Sequence, residues 1–165
     1  MKEKIKIAVS SCLLGYNVRY DQTNKYLKLI TKISDIELIP ICPEITAGLG
    51  CPREPIHLEK IGNNLALISN VKLKDLTMSF KEKNLESIEL LKAKQIQGFI
   101  LKSKSPSCGL GTTKIAPTQK KGDGLFVSLL KDHIKDVIII DDLEIQEPKK
   151  REEFVRKCQN RVSKA

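Results

Sequence analysis

Short β-branched apolar runs alternate with helical patterns along this chain, and that alternation restricts the fold more than any other feature. The runs are Ile5–Val9, Ile36–Ile41, Leu65–Ile68, Phe99–Leu101 and Val137–Ile140. Most are continuous and rich in Ile and Val, as expected of strands covered on both faces. Between them, Asn24–Ile33 places Leu27, Ile30 and Ile33 toward one side. Asp75–Lys94 repeats Leu76, Phe80, Ile88 and Leu91 at helical spacing, with Asp75 as a candidate N-cap. Leu125–His133 is entered through Gly122-Asp123-Gly124. A last helix, about 149–162, follows Pro148 and carries Phe154, Cys158 and Val162 on one stripe. Strands in alternation with helices imply an α/β fold, a three-layer, largely parallel Rossmann-like sheet flanked by helices. Residues 43–64, rich in Pro and Gly, read as a long irregular stretch of the kind that often carries function. No repeat or interdomain linker divides the chain, so one domain over 1–165 is expected.

The cysteines follow this layout. Cys12 lies just past the first strand, Cys42 directly after the second, and Cys108 shortly after the fourth, in Lys104-Ser105-Pro106-Ser107-Cys108-Gly109. In a parallel sheet, all three thiols then emerge at one carboxyl edge, where open α/β sheets bind ligands. Three thiolates suit a soft centre: zinc, cuprous copper or an iron–sulfur cluster. A structural zinc site would complete its shell with a fourth Cys or His, but Cys51, Cys158, His57 and His133 form no close pair. An open metal position fits better. Cys158 belongs to the apolar stripe of the last helix. Cys51 is a fourth ligand, a persulfide carrier or a bystander. Both histidines read as structural or surface groups. The odd total of five cysteines suits a reducing compartment, where they are thiols or metal ligands.

Composition narrows the partners. The net charge of +9 would draw anions, but the lysines are scattered over the helices as on a solvated surface. Aromatic residues are 4% with no Trp, few for a protein that stacks on single-stranded nucleic acid. No run approaches the length of a membrane span, and no signal-peptide pattern is visible. A cytoplasmic protein is expected.

The segments Val9-Ser10-Ser11-Cys12-Leu13-Leu14-Gly15 with Val18-Arg19-Tyr20-Asp21, Cys42-Pro43-Glu44, Pro52-Arg53-Glu54-Pro55, and Lys104 to Gly109 resemble, in this order, the DUF523 family, which includes the bacterial thiouracil desulfurases. The resemblance spans most of residues 5–142. It implies a [4Fe–4S] cluster on Cys12, Cys42 and Cys108 with one iron open. It also implies a catalytic glutamate at Glu44 and a catalytic serine at Ser105. The implied reaction is desulfuration of a small thiolated nucleobase such as 2-thiouracil, or a related thioamide. The open iron would bind the substrate sulfur and hydrosulfide would be released, with no net redox change. Ser11, Arg19 and Arg53 are candidate substrate contacts, the arginines alternatively pairing with Asp21 and Glu54. Ser10, Ser11 and Ser107 either donate to cluster sulfides or satisfy loop backbone. Two other function classes remain open: sulfur insertion of the tRNA-thiolation kind, and a non-catalytic metal-bearing module that binds nucleic acid. Gly109–Lys114 and Glu59–Lys74 depart from the family pattern beside the expected pocket, which leaves the substrate's identity open.

Overall fold

A computed structural model describes residues 3–162; of Val162 it describes the backbone only. Strands β1 (Ile5–Ser10), β2 (Ile36–Ile41), β5 (Gly98–Leu101) and β8 (Ile139–Asp141) form a sheet in the order β2-β1-β5-β8. Every pairing in it is parallel. Successive side chains of a buried strand serve opposite faces. Ile5, Ile7 and Val9 of β1 and Ile100 of β5 join a core with Ile30 of helix α1 (Lys28–Thr31) and with Phe154 and Cys158 of α5 (Pro148–Val162). Ala8, Phe99 and Leu101 turn the other way. They meet Phe80, Ile88 and Leu91 of α3 (Thr77–Ala93) and Leu125, Phe126, Val127, Leu129 and Leu130 of α4 (Leu125–His133). The sheet therefore lies between two helical layers.

A second sheet was not foreseen. Strands β3 (Ile56–Ile61), β4 (Asn64–Ser69), β6 (Thr113–Ala116) and β7 (Lys120–Gly122) form a mixed sheet in the order β4-β3-β6-β7. The run Leu65–Ile68 belongs here, antiparallel to β3, and not to the parallel sheet. The stretch 43–64 is correspondingly less irregular than expected: it holds α2 (Pro43–Thr46) and β3. Leu58 and Leu67 seat this sheet on the core around α3 and α4.

The helix expected over Asn24–Ile33 shrinks to Lys28–Thr31, because the chain before it folds back on the first cysteine loop. There the Lys25 N–H donates to the Cys12 carbonyl at 2.8 Å and the Leu27 N–H to that of Leu13 at 2.9 Å. Asp75 does accept the Thr77 N–H (2.9 Å), though from one position outside the helix cap, which is Leu76. Among the described residues, no helix is long and apolar enough to cross a membrane.

From β1 the chain passes to β2 on one side and later to β5 on the other. The order thus reverses at β1, and a sheet of this kind opens a crevice beyond the carboxyl ends of its strands at that reversal.

Candidate metal centre

Each cysteine loop is built by local chemistry. After β1 the chain makes a 3₁₀ turn, Ser11–Leu14, closed by Gly15 at φ +92°, and the turn carries Cys12 inward. After β2, Cys42 caps α2; Pro43 occupies the first helical position, where its missing N–H costs nothing, and the acidic Glu44 stands in the first turn. Beyond β5, the Ser105–Cys108 loop is gripped by the start of α4. The Gly124 N–H donates to the Gly109 carbonyl (2.7 Å), that of Leu125 to Pro106 (2.9 Å) and that of Phe126 to Ser107 (3.0 Å). Gly124 is required there, because a Cβ would lie 2.4 Å from the Ser107 carbonyl oxygen.

These loops bring Cys12, Cys42 and Cys108 to the wall of one cavity of about 370 Å³, together with Ser11, Arg19, Glu44, Arg53, Ser105 and Ser107. Cys12 and Cys108 are buried and Cys42 is half-buried. Burial pushes the Cys12 thiol up to about 11, against the pull of Arg19, and also raises Cys42 and Cys108. As free groups these are neutral thiols, and a bound cation would have to displace their protons. Among the described residues, no three His, Cys, Asp or Glu side chains stand close enough to share a single ion. The donors are soft thiols spread around a cavity. They fit a body larger than one ion, such as a cluster, better than mononuclear zinc.

Glu44 is held over this cavity from two sides. Arg53 donates to its Oε2 from Nε at 2.8 Å and from the terminal Nη2 at 2.6 Å, while the Ser107 hydroxyl donates to Oε1 at 2.8 Å. The remaining terminal nitrogen of Arg53 reaches the carbonyls of Val18 (2.9 Å) and Gly50 (2.8 Å). Arg53 thus pairs with Glu44, and Glu54 instead accepts the N–H groups of Val71 and Lys72. Ser105 Oγ accepts the N–H of Ser107 (3.2 Å) and of Cys108 (3.0 Å), and lies 3.0 Å from Ser107 Oγ. Arg19 stacks over Tyr20, 6.0 Å from the ring centroid, and its buried Nε has no partner. Asp21 accepts from Thr23.

The other residues singled out lie elsewhere. Cys51 is exposed, its thiol 3.2 Å from the Arg19 carbonyl. Cys158 is buried in the core, its thiol pushed up to about 12 by burial. His57 bonds Asn70 at 2.7 Å and His133 is exposed at the end of α4.

Two elements of the site escaped the sequence reading. Lys102 lines the cavity and pairs with Asp142 at 3.0 Å. Burial alone would raise the Asp142 carboxyl, but hydrogen bonds from Ser103 and Lys102 outweigh it and hold the group below its ordinary value. Both residues directly follow strands of the parallel sheet, β5 and β8, which is the same signal that marked Cys42. Asn84 of α3 is fully buried and donates to the Pro43 carbonyl at 3.0 Å, between Cys42 and Glu44. Nothing in its polar neighbourhood in the sequence marks that contact.

The model of the 2-thiouracil desulfurase family matches residues 7–142. This chain belongs to that family. The uncharacterized protein YbbK of Bacillus subtilis (strain 168) is 32% identical to this chain over 134 residues, 76% of this chain and 89% of that protein. Among solved structures, the [4Fe-4S]-dependent thiouracil desulfidase TudS superposes with a TM-score of 0.71 at 28% identity, covering 94% of this chain and 99% of that one. The likeness extends through both sheets, since so little of either chain is left out. Within the 2-thiouracil desulfurase family match lie all three cavity cysteines, Glu44, Arg53, Ser105 and Ser107.

Proposed function

We propose that this member of the family is a desulfurase that replaces the sulfur of a thiolated pyrimidine base, of the 2-thiouracil kind, with oxygen from water. Cys12, Cys42 and Cys108 hold a [4Fe–4S] cluster. The observation that carries the reading is the meeting of three thiols from three strand ends with one clamped carboxylate at a single cavity. When bound, a cluster with three protein ligands supplies a Lewis-acidic iron for the soft sulfur of the substrate.

The rest falls to the chain's own residues. Glu44 accepts the proton of the attacking water and later returns it to the departing hydrosulfide or to a ring nitrogen. Arg53 and Ser107 fix both of its oxygens, so the base does not have to be oriented at the moment of reaction. Arg19, with an unused Nε–H beside the cavity, donates to the polar edge of the base, and Ser11 lines the same wall. Ser105 braces the backbone at Cys108. Water's oxygen ends on carbon, sulfur leaves with the electron pair, and no electrons are exchanged with the medium.

The test is anaerobic reconstitution followed by iron, sulfide and 2-thiouracil turnover measurements on one sample. About four irons per chain with uracil and hydrosulfide formed is the expected result. Zinc uptake without iron, or a full cluster with no turnover of thiolated pyrimidines, overturns it.

A further inference from the structure

The hydrogen-bond valences around Ser107 leave only one arrangement of protons. The ionised carboxylate of Glu44 can only accept, so the single proton of Ser107 goes to Oε1, 2.8 Å away. Ser107 Oγ is then an acceptor toward Ser105. Ser105 Oγ already takes two backbone N–H groups, so it uses its own proton on Ser107, 3.0 Å away. The result is a directed chain: Ser105 O–H to Ser107 O–H to Glu44, with Arg53 behind the carboxylate. Its outer end, Ser105, is half-buried on the cavity wall, whereas Ser107 is 1% exposed.

We infer that Ser107 is a positioning residue that joins Ser105 and Glu44 into one proton-accepting unit, an inference that rests on the proposed desulfurase reaction. A proton entering at Ser105 reaches the carboxylate by a concerted shift. The water O–H breaks as a new Ser105 O–H forms on the lone pair that the longer of its two backbone contacts, the Ser107 N–H at 3.2 Å, gives up; the old Ser105 proton moves to Ser107, and the old Ser107 proton moves to Glu44 Oε1. The water's electron pair becomes the new bond to the thiocarbonyl carbon, and the π pair of that group moves to sulfur. Reversal of the shift returns the proton for the departing hydrosulfide. Ser107 never touches substrate in this scheme; it acts through its two neighbours.

The test uses anaerobically reconstituted protein, unsubstituted and as S107A, S107T, E44Q and E44Q/S107A. Iron content should be equal throughout. S107A should lower kcat by about 10- to 100-fold, at or below the bottom of the roughly 10²–10⁴-fold range of a general acid–base group because Ser107 acts only through its neighbours, with KM within about twofold. S107T, which restores a hydroxyl, should recover most of the rate. E44Q/S107A should be no slower than E44Q, since groups acting as one unit are not additive. In parallel, the infrared carboxylate band of Glu44, isolated by subtracting the E44Q spectrum, should shift in S107A whether or not substrate is present. An unchanged kcat in S107A, a further full loss in the double variant, or an unmoved carboxylate band overturns the bridge while leaving the desulfurase reading intact. No turnover by the unsubstituted protein overturns that reading, and with it the use of the bridge.

Discussion

Replacing Arg53 with alanine isolates the interaction that holds Glu44 in place. The two side chains are 7% and 13% exposed, so the pair is largely withdrawn from water. Removing one partner of such a pair strands a charge, at a cost of about 3–5 kcal/mol. At about 2–4 °C per kcal/mol for a chain of this size, the melting temperature should fall by about 6–20 °C. The loss should come from the stranded carboxylate, and a second substitution separates that cause from lost packing. On its own, E44Q should destabilise, because it weakens a good ion pair. In the Arg53→Ala background it should stabilise, by about 1–3 kcal/mol, because the amide no longer carries an unpaired charge. Thermal and urea unfolding of the cluster-free protein, with both singles and the double variant, measures all three changes. Arg53→Lys should not rescue, because an ammonium cannot offer a planar fork to Glu44 and still reach the carbonyls of Val18 and Gly50. If E44Q destabilises both backgrounds alike, or if Arg53→Ala costs less than about 1 kcal/mol, far below a buried pair, the clamp described here is wrong.

Three further outcomes are expected. Gly124→Ala puts a Cβ 2.4 Å from the Ser107 carbonyl oxygen and 2.9 Å from the Gly109 nitrogen; overpacking against backbone should cost about 1–3 kcal/mol and lower iron uptake, and a variant as stable and as iron-rich as the parent would contradict the packing. Cys158 has a folded pKa of about 12 against 9.0 for the free group. Its contribution to stability is therefore complete below pH 9 and lost as pH climbs toward 12, so the unfolding free energy should fall more steeply over that window than in Cys158→Ala; parallel pH profiles would sink the assignment. Alkylation of the cluster-free protein followed by mass spectrometry should label exposed Cys51 well before Cys12, whose thiol burial holds at about 11; equal rates would contradict that burial.

The parallel sheet could be read from the chain because its strands are short runs dominated by Ile, Val and Leu with few polar interruptions, and the cysteines could be placed because each closely follows one of those runs. The second sheet could not. Its β6 and β7 are short, and both carry lysines. β3, with the sequence IHLEKI, breaks its alternation at Glu59-Lys60 and lies in a stretch marked by prolines and glycines, which favour loop over strand. In the site, Cys12, Cys42, Cys108, Glu44 and Ser105 carry motif signals, whereas the pairing of Arg53 depends on how the chain turns between α2 and β3. The adjacent Glu54 was the natural partner in one dimension; the fold gives Arg53 to Glu44 and Glu54 to the turn at Val71. For Ser107 the sequence offers a donor to cluster sulfides or support for the loop backbone, and neither reading includes the contact of its hydroxyl with Glu44.

The spacing of the thiols also sets an order of events in the life of the chain. Cys12 and Cys42 flank the neighbouring strands β1 and β2, whose register is complete within the first 41 residues. Cys108 takes its place only when β5 has paired with β1 and when Gly124 and the start of α4 have closed over its loop. On the proposed ligand set, a nascent chain therefore has no complete site until most of its length has been made and packed. Unlike a small zinc finger, which needs its metal in order to fold, this scaffold stands on two apolar cores of its own. If those cysteines hold the cluster, its delivery is a step performed on a folded recipient, and its loss would leave a chain that can be loaded again.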